Sequence, residues 1–457
     1  MVEVQPEGLL EYIIIQHRWV VVLLALLPMS GLWKLWSVLR NYVVFKMSSA
    51  PKLHDKKVKD VQNQVKQWLA GDRSSHMCTA RPTWQTMSFR QGIYKNTFTN
   101  IRVNLVDILE VDTKKMHICL QYELVLADGS VLTCSKDENP DLFYAVPWSY
   151  GTLGFLASVV IQVIQAKKYV RVQYESYTNS KELAARFSAE SLSPTPHQFV
   201  EALMFSRDSG VVMTADMVDE IGPDGIYNPI GRWYSEWFFK KVGKHLQNYI
   251  YGFKRPVVEY IPLRDYYHRH SKSLFWEVQD IVPFGNNFVF RLLFGWLMPP
   301  EVSLLKLTQP EAIARLYEKA HVLQDMLVPI ECLKDAVNKF HQEFEVYPLW
   351  LCPFKVRNEP GMLRVKDGRD SQMFVDIGVY GVPKAKGYET VPSTRRIEQF
   401  VAEHRGFQML YADTYTTREE FRSMFDHTLY DKVRDSLPHC KEAFPEVYGK
   451  VNRNVRK

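Results

Sequence analysis

The sequence predicts an α+β protein that carries an N-terminal membrane helix, and three observations lead there. Trp19 to Trp33 form an uncharged stretch close to the start of the chain. Lys56 to Leu69 repeats apolar residues at helical spacing. Tyr122 to Thr133 alternates apolar and polar residues about an Ala127-Asp128-Gly129 turn, the signature of a β-hairpin.

The apolar stretch comes first. Ile13, Ile14 and Ile15 precede it, with Gln16, His17 and Arg18 between. As a helix, Trp19 to Trp33 reaches about 22 Å, short of the roughly 30 Å of a hydrocarbon core. Crossing therefore needs Arg18 and Lys34 to snorkel, or Leu35 and Trp36 to join the span. No small-residue cleavage site follows, which disfavours a removed signal peptide. Lys34, Arg40, Lys46, Lys52, Lys56 and Lys57 lie downstream, whereas Glu3, Glu7 and Glu11 lie upstream with only Arg18. That imbalance places the body on the cytosolic side.

The soluble part begins near Ser48. In Lys56–Leu69, Val58, Val61, Val65 and the Trp68-Leu69 pair share one helix face opposite lysines, and Gly71 is a stop signal. His76 to Arg90 reads as extended segments joined by a turn at Arg81-Pro82. Asn100 to Val111 alternates like a strand, and the hairpin follows. Beyond Asn139 to Phe155, where Gly151 and Gly154 bracket a tight turn, Ala157 to Ile164 reads as a β-branched strand. Phe294 to Pro300 is an apolar segment that lines an entrance, dips into a bilayer interface or is a buried connection.

Composition bounds the rest. At 457 residues, with 46% apolar and 24% charged residues, the chain suits two globular domains. A net charge of +6 is too diffuse for nucleic acid. The six cysteines, Cys78, Cys119, Cys134, Cys332, Cys352 and Cys440, form no C-x-x-C pair and fit neither a zinc site nor a disulfide framework, as in a reduced compartment. His268 and His270 flank Arg269 without nearby thiolates or carboxylates, so the expectation there is a basic surface and no metal.

A wider pattern joins these pieces. Leu124 to Gly129, then Asp141 to Val146, then Gly151 to Phe155 with a strand behind it, resemble flavoproteins of the vanillyl-alcohol-oxidase type. Within that superfamily the chain is similar, nearly end to end, to the Δ24-sterol reductases. The similarity runs through Tyr42–Lys46, Ser48–Pro51, Asp107–Lys115, Glu259–Arg264, Tyr266–His270, Phe284–Asn287, Ser303–Gln309, Gln324–Pro329, Tyr347–Phe354, Gly406–Asp413 and Phe444–Tyr448. It implies an anchor over residues 1–47, an FAD-binding domain over 48–168 and a sterol domain over 169–457. Arg81, Pro82, Gly151, Thr152 and Gly154 are the implied cofactor contacts. FAD and NADPH are the implied cofactors, a sterol the substrate, and the endoplasmic reticulum membrane the location.

One departure stands out. Members of the family carry several dozen residues, including a glycine-rich pyrophosphate cradle, between segments like Thr113–Lys115 and Cys119–Ser130. Here Lys115 runs through Met116, His117 and Ile118 straight into Cys119, with no glycine between Gly92 and Gly129. The expectation is a truncated FAD-binding domain with a gap near residues 115 and 116. FAD binding by this chain is accordingly in doubt.

The implied reaction reduces an isolated alkene in the sterol side chain. A proton goes to C24, and C25, the more substituted carbon, takes the positive charge and then a hydride. Tyr266, His268, Glu277, Tyr411 and Asp413 are candidates for the catalytic groups, with Tyr267 beside them. The faces of Tyr266, Phe275 and Trp276 are candidates for stabilising the cation. The alternative from a different class is a non-catalytic, membrane-bound form that binds a sterol or a partner.

Overall fold

A computed structural model describes residue 12 and residues 17–47, 52–82, 85, 93–105, 107–111, 121–253, 256–307, 311–365 and 367–455. The chain divides into two compact units. A central unit comprises Met1–Lys34, Ala166–Lys355 and Met373–Met409, and a flanking unit comprises Leu35–Gln165, Val356–Gln372 and Leu410–Lys457.

The N-terminal helix α1 runs over Arg18–Met47, twice the length of the uncharged stretch. Its extension through Lys34, Arg40 and Lys46 adds good helix formers, and its 30 residues reach about 45 Å. Pro28 has no N–H and crowds the preceding turn, and a π-helical turn over Val22–Leu26 lies just ahead of it. The helix is long and apolar enough to cross a membrane, and among the described residues it is the one helix that is.

In the flanking unit, α2 (His54–Ala70) buries Val58, Val61, Val65 and Trp68, the face its sequence presents. Strands β1 (Met77–Thr79) and β2 (Thr99–Ile101) pair in parallel. The hairpin forms as β3 (Gln121–Val125) and β4 (Val131–Ser135). Gly129 takes φ +79 in its turn, and Asp128 Oδ1 accepts the Ser130 N–H at 2.8 Å. Strand β5 (Phe155–Val160) adds on the other side of β3, with a bulge at Glu123/Leu124.

Two strand expectations change. Of Asn100–Val111 only the first two residues are in a strand, and Ile108 and Val111 are exposed at 78% and 65%. Alternation makes a strand only where a neighbour accepts its hydrogen bonds. Likewise β5 starts and ends earlier than expected. Ile161, Val163 and Ile164 lie beyond it, exposed.

Among the described residues, the central unit is built on nine strands: β6 (Tyr169–Tyr177), β7 (Phe199–Met204), β8 (Gly210–Val218), β9 (Ile226–Tyr227), β10 (Val257–Pro262), β11 (Val322–Pro329), β12 (Leu349–Arg357), β13 (Ser371–Gly381) and β14 (Phe407–Gln408). Their spatial order is β14-β11-β13-β12-β7-β8-β6-β10-β9. β6 alternates, burying Val170, Val172 and Tyr174, whereas β8 is buried along almost its whole length. Helix α3 (Phe238–Ile250) covers the buried face of β6 with Phe238, Phe239, Val242 and Leu246. Val22, Leu26 and Leu27 of α1 belong to the same core, at 6%, 5% and 1% exposure. The short helix α4 (Phe288–Phe294) and a 3-10 turn (Gly295–Leu297) follow further on.

Candidate active site

Strands β11, β13, β12 and β7 are neighbours, and each contributes an ionisable side chain from inside an otherwise apolar run: Asp325, Asp376, Cys352 and Glu201. Glu201 lies directly beside Cys352 by the β7–β12 register and is 2% exposed. Its carboxylate accepts from Arg269 Nε at 2.8 Å, Arg269 Nη2 at 2.9 Å and Trp350 Nε1 at 2.9 Å. Burial pushes this carboxyl up, but the Arg269 charge and His270 outweigh that and hold it well below the usual carboxylate range.

Two strands away the balance reverses. Asp376 Oδ1 is buried without a hydrogen-bond partner. Burial, with the Asp325 charge in support, pushes the Asp376 carboxyl well above its ordinary value. Gly378 and Tyr380 share its face of β13. The Tyr380 hydroxyl donates to Asp325 Oδ1. A Cβ at Gly378 would stand 2.5 Å from that hydroxyl and 2.9 Å from Asp325 Oδ1, so the bond depends on glycine. The half-buried Cys352 thiol is raised by desolvation and by Glu201 and Asp376, which favours its neutral form.

An aromatic nest covers this face. Leu274 and Phe275 both take left-handed backbone, φ +43 and +62, costing about 1–2 kcal/mol each. The bend lets Phe275 stack on His270 with centroids 5.0 Å apart and meet Trp350 at 5.1 Å and Tyr380 at 5.2 Å. Trp276 Nε1 donates to the Tyr380 carbonyl at 2.8 Å. A carboxyl pushed towards its protonated form, partnered carboxylates and π faces together can deliver a proton and stabilise a nearby cation.

The predicted candidates fall unequally around this arrangement. Tyr266 is 1% exposed, with the Arg269 guanidinium 4.2 Å from its ring centroid, and burial followed by Glu201 pushes its hydroxyl far up. Tyr267 and His268 are exposed. Glu277 pairs with His321 Nε2 at 2.8 Å, separate from the Glu201 cluster in its partners. Tyr411 and Asp413 belong to the flanking unit. The basic surface expected at His268–His270 is corrected: Arg269 and His270 turn inward onto Glu201 and only His268 faces out, because a buried carboxylate needs a counter-charge. Asp376 and Asp325 were missed by sequence reasoning. The available signal was a carboxylate inside a buried strand, as in Val375-Asp376-Ile377.

The predicted cofactor contacts lie in the flanking unit. Thr152 Oγ1 donates to the Ser149 carbonyl at 2.7 Å and meets Tyr430 Oη at 2.7 Å. In helix α5 (Thr428–Ser436), Arg434 donates to the carbonyls of Thr152 at 2.9 Å, Phe444 at 2.8 Å and Pro445 at 3.1 Å. Gly154, at φ +157, is pressed against β3, where a Cβ would stand 2.9 Å from the Val125 carbonyl oxygen. Gly151, at φ +70, has Lys450 Nζ beside it. Arg81 and Pro82 are exposed, and the Arg81 carbonyl accepts from Lys95 Nζ at 2.6 Å. The Thr152 hydroxyl and the close approach at Gly154 serve the protein's own chain, which leaves the exposed Arg81 side chain as a cation for a phosphate, too little by itself for a dinucleotide pyrophosphate. The junction at residues 115 and 116 lies outside the described residues.

Among the described residues, two clefts stand out. One in the central unit, about 370 Å³, has Phe205, Phe239, Lys240 and Tyr347 among its lining residues. One in the flanking unit, about 610 Å³, has Arg364, Arg422, Asp426 and Asp431, with Arg364 paired to Asp426 at 3.2 Å.

No protein-family model matches the chain. Among curated proteins it is 46% identical to the Delta(24)-sterol reductase of Homo sapiens, over 98% of this chain and 96% of the relative. It is 39% identical to the Delta(24)-sterol reductase homolog dhcr-24 of Caenorhabditis elegans, over 99% and 97%. The Delta(24)-sterol reductase of Arabidopsis thaliana is 32% identical, over 96% and 92%. The match to the human protein spans 502 positions against the 457 residues here, so it passes over positions at which this chain has no residue.

Proposed function

This chain belongs to the Delta(24)-sterol reductase family, and on that premise we propose that it reduces the C24=C25 double bond of a sterol side chain, with NADPH as electron source and FAD as carrier. The observation that carries the reading is identity over nearly the whole of both chains, in relatives from animals, a worm and plants. It weighs for the reductase over a non-catalytic binding form. The proposed location is the endoplasmic reticulum membrane, with α1 as anchor and the body towards the cytosol. The proposed division of labour gives the sterol to the central unit and the flavin to the flanking unit.

The proton requires a group that keeps it at neutral pH. Of the carboxyls on the sheet face, Asp376 is pushed well above its ordinary value by burial and the Asp325 charge, which favours its protonated form, and Phe275, Trp276 and Trp350 supply π faces for a cation. We assign the proton to Asp376 ahead of Tyr266, His268, Glu277, Tyr411 and Asp413. The Tyr266 ring is covered by the Arg269 guanidinium, and Glu277 is tied to His321.

The flanking unit sets a condition on the activity. Its β5 exposes Leu156, Val159 and Val160, and Ile161, Val163 and Ile164 continue that surface. A run of apolar and β-branched residues facing water is what a sheet shows where a covering element is lacking. Together with the surplus positions in the relatives, this supports a missing segment at the 115/116 junction and weak flavin affinity. The test is conversion of a Δ24-unsaturated sterol by membranes carrying the chain, with NADPH and saturating FAD, read by mass spectrometry of the sterol. A saturated side chain bearing deuterium from labelled NADPH supports the proposal. No conversion at any FAD concentration overturns it for this chain.

A further inference from the structure

Helix α1 is gripped by the central unit at two points far apart along its axis. At one end Arg18 donates to the Asp280 carbonyl, and Trp19 meets Phe284 edge-on at 5.4 Å. Four turns on, Lys34 Nζ donates to the Pro299 carbonyl at 3.2 Å, and Ser30 Oγ accepts the Glu301 N–H at 2.9 Å. Sixteen residues of helix separate Arg18 from Lys34, about 24 Å. Between them Val22, Leu26 and Leu27 are buried in the core. A helix crossing the bilayer in this state would carry the central unit through most of the hydrocarbon thickness. Among the described residues no other helix is long and apolar enough to cross a membrane.

The outward face of α1 is uncharged for five turns. Val21, Leu24, Met29, Leu32, Leu35 and Leu39, spaced by three to five residues, are exposed at 43–77%. This apolar face continues onto a second element. A Cβ on Gly31 would stand 3.2 Å from Leu297 Cδ2, so α1 runs directly against the 3-10 turn after α4. There Phe288, Val289, Leu292, Leu293 and Trp296 are exposed at 49–63%. Of the three options for Phe294–Pro300, the exposure of this neighbourhood favours contact with the bilayer interface. Two apolar segments meeting side by side, with Trp296 on the second, match the chemistry of a lipid surface.

We propose that α1 does not traverse the bilayer but lies in one leaflet, and that α4 with its 3-10 turn forms the second half of the same lipid-embedded face. This rests on the reading of α1 as the membrane anchor. The test uses the full chain with epitope tags at both termini in sealed microsomes. Retention after carbonate washing, with both tags digested by added protease, is the expected result. Retention with the N-terminal tag protected means that the helix crosses, and overturns the inference while leaving the anchor intact. Release by carbonate overturns the anchor itself.

A second arm addresses α4. Leu293→Asp with Trp296→Asp, both at exposed positions, is expected to lower the fraction floating with phosphatidylcholine–phosphatidylserine vesicles at least fivefold while leaving the thermal midpoint unchanged. Flotation equal to that of the parent chain removes α4 from the membrane face.

Discussion

The hydroxyl of Tyr380 donates to Oδ1 of Asp325 across the space that Gly378 leaves open on β13. That contact holds Asp325 beside Asp376, two residues before Gly378, and the Asp325 charge adds to burial in disfavouring the charged form of Asp376. Gly378→Ala is expected to lower unfolding stability by about 1–3 kcal/mol, from steric overlap and a broken buried hydrogen bond. Tyr380→Phe removes the clashing oxygen. In a double-mutant cycle by urea unfolding, the pair should cost less than the sum of the single changes.

Asp376→Asn tests the proton donor. Sterol reduction is expected to fall by a factor of about 10²–10⁴, the range ascribed to general acid catalysis. The thermal midpoint should hold or rise. The pH dependence has a definite sign. The folded-state pKa is raised, so above the ordinary carboxylate range the unfolded chain binds fewer protons than the native one, and stability falls as pH rises towards the folded pKa. Asp376→Asn should flatten that decline in urea melts taken upward from the ordinary carboxylate range.

Glu201 has the opposite sign. Its folded pKa is depressed, so its contribution is present above the unfolded pKa and is lost as pH falls through acid. Glu201→Gln leaves Arg269 buried opposite a neutral group, at a cost of about 3–5 kcal/mol. Differential scanning fluorimetry at pH 7 should show a large drop in melting temperature that shrinks towards low pH.

Much of this was legible in the sequence, and the limits have physical causes. The α2 face, the Asp128-Gly129 turn and the apolar start of α1 were readable because each is a local pattern with a local cause. The strand expected over Asn100–Val111 failed because pairing is decided by a distant partner. Tyr266, Phe275 and Trp276 were singled out and do stand around the acidic face, but Asp325 and Asp376 were not. A carboxylate on a strand gains its meaning from what lies across the sheet, and sequence order puts those neighbours tens of residues away. The inward turn of Arg269 was hidden for the same reason, since its partner Glu201 is 68 residues earlier.

The two sides of α1 should respond differently to substitution. Leu26→Ala, at a position 5% exposed, is expected to cost about 2–4 kcal/mol in unfolding experiments in detergent. Leu24→Ala, at a position 77% exposed, should change stability by less than about 0.5 kcal/mol. Equal effects would show that the inner face of the helix is not packed. Removing residues 1–43 would strip Val22, Leu26 and Leu27 from the core, so the shortened chain is expected to aggregate when released from the membrane.

Flavin titration of the purified chain is expected to give an affinity at least about 100-fold weaker than that of a relative with the intervening residues. Two lost charge-assisted hydrogen bonds, at about 1.5–3 kcal/mol each, suffice for that. Stoichiometric flavin retained through gel filtration would require phosphate donors other than Arg81, Gly151, Thr152 and Gly154.

The guanidinium of Arg434 also imposes an order of events during synthesis. It reaches the Thr152 carbonyl across 282 residues of chain, and it is a principal support of the Gly151–Gly154 turn. At the usual pace of translation, those residues take on the order of 15–60 s to be made. Throughout that interval the turn, the hairpin and β5 have emerged from the ribosome without their buried cation, while the central unit is completed first. The flanking unit is therefore a post-translational assembly. A stalled or prematurely ended polypeptide that lacks the last few dozen residues would present an unlatched turn and the bare apolar edge of β5 to the cell's chaperones.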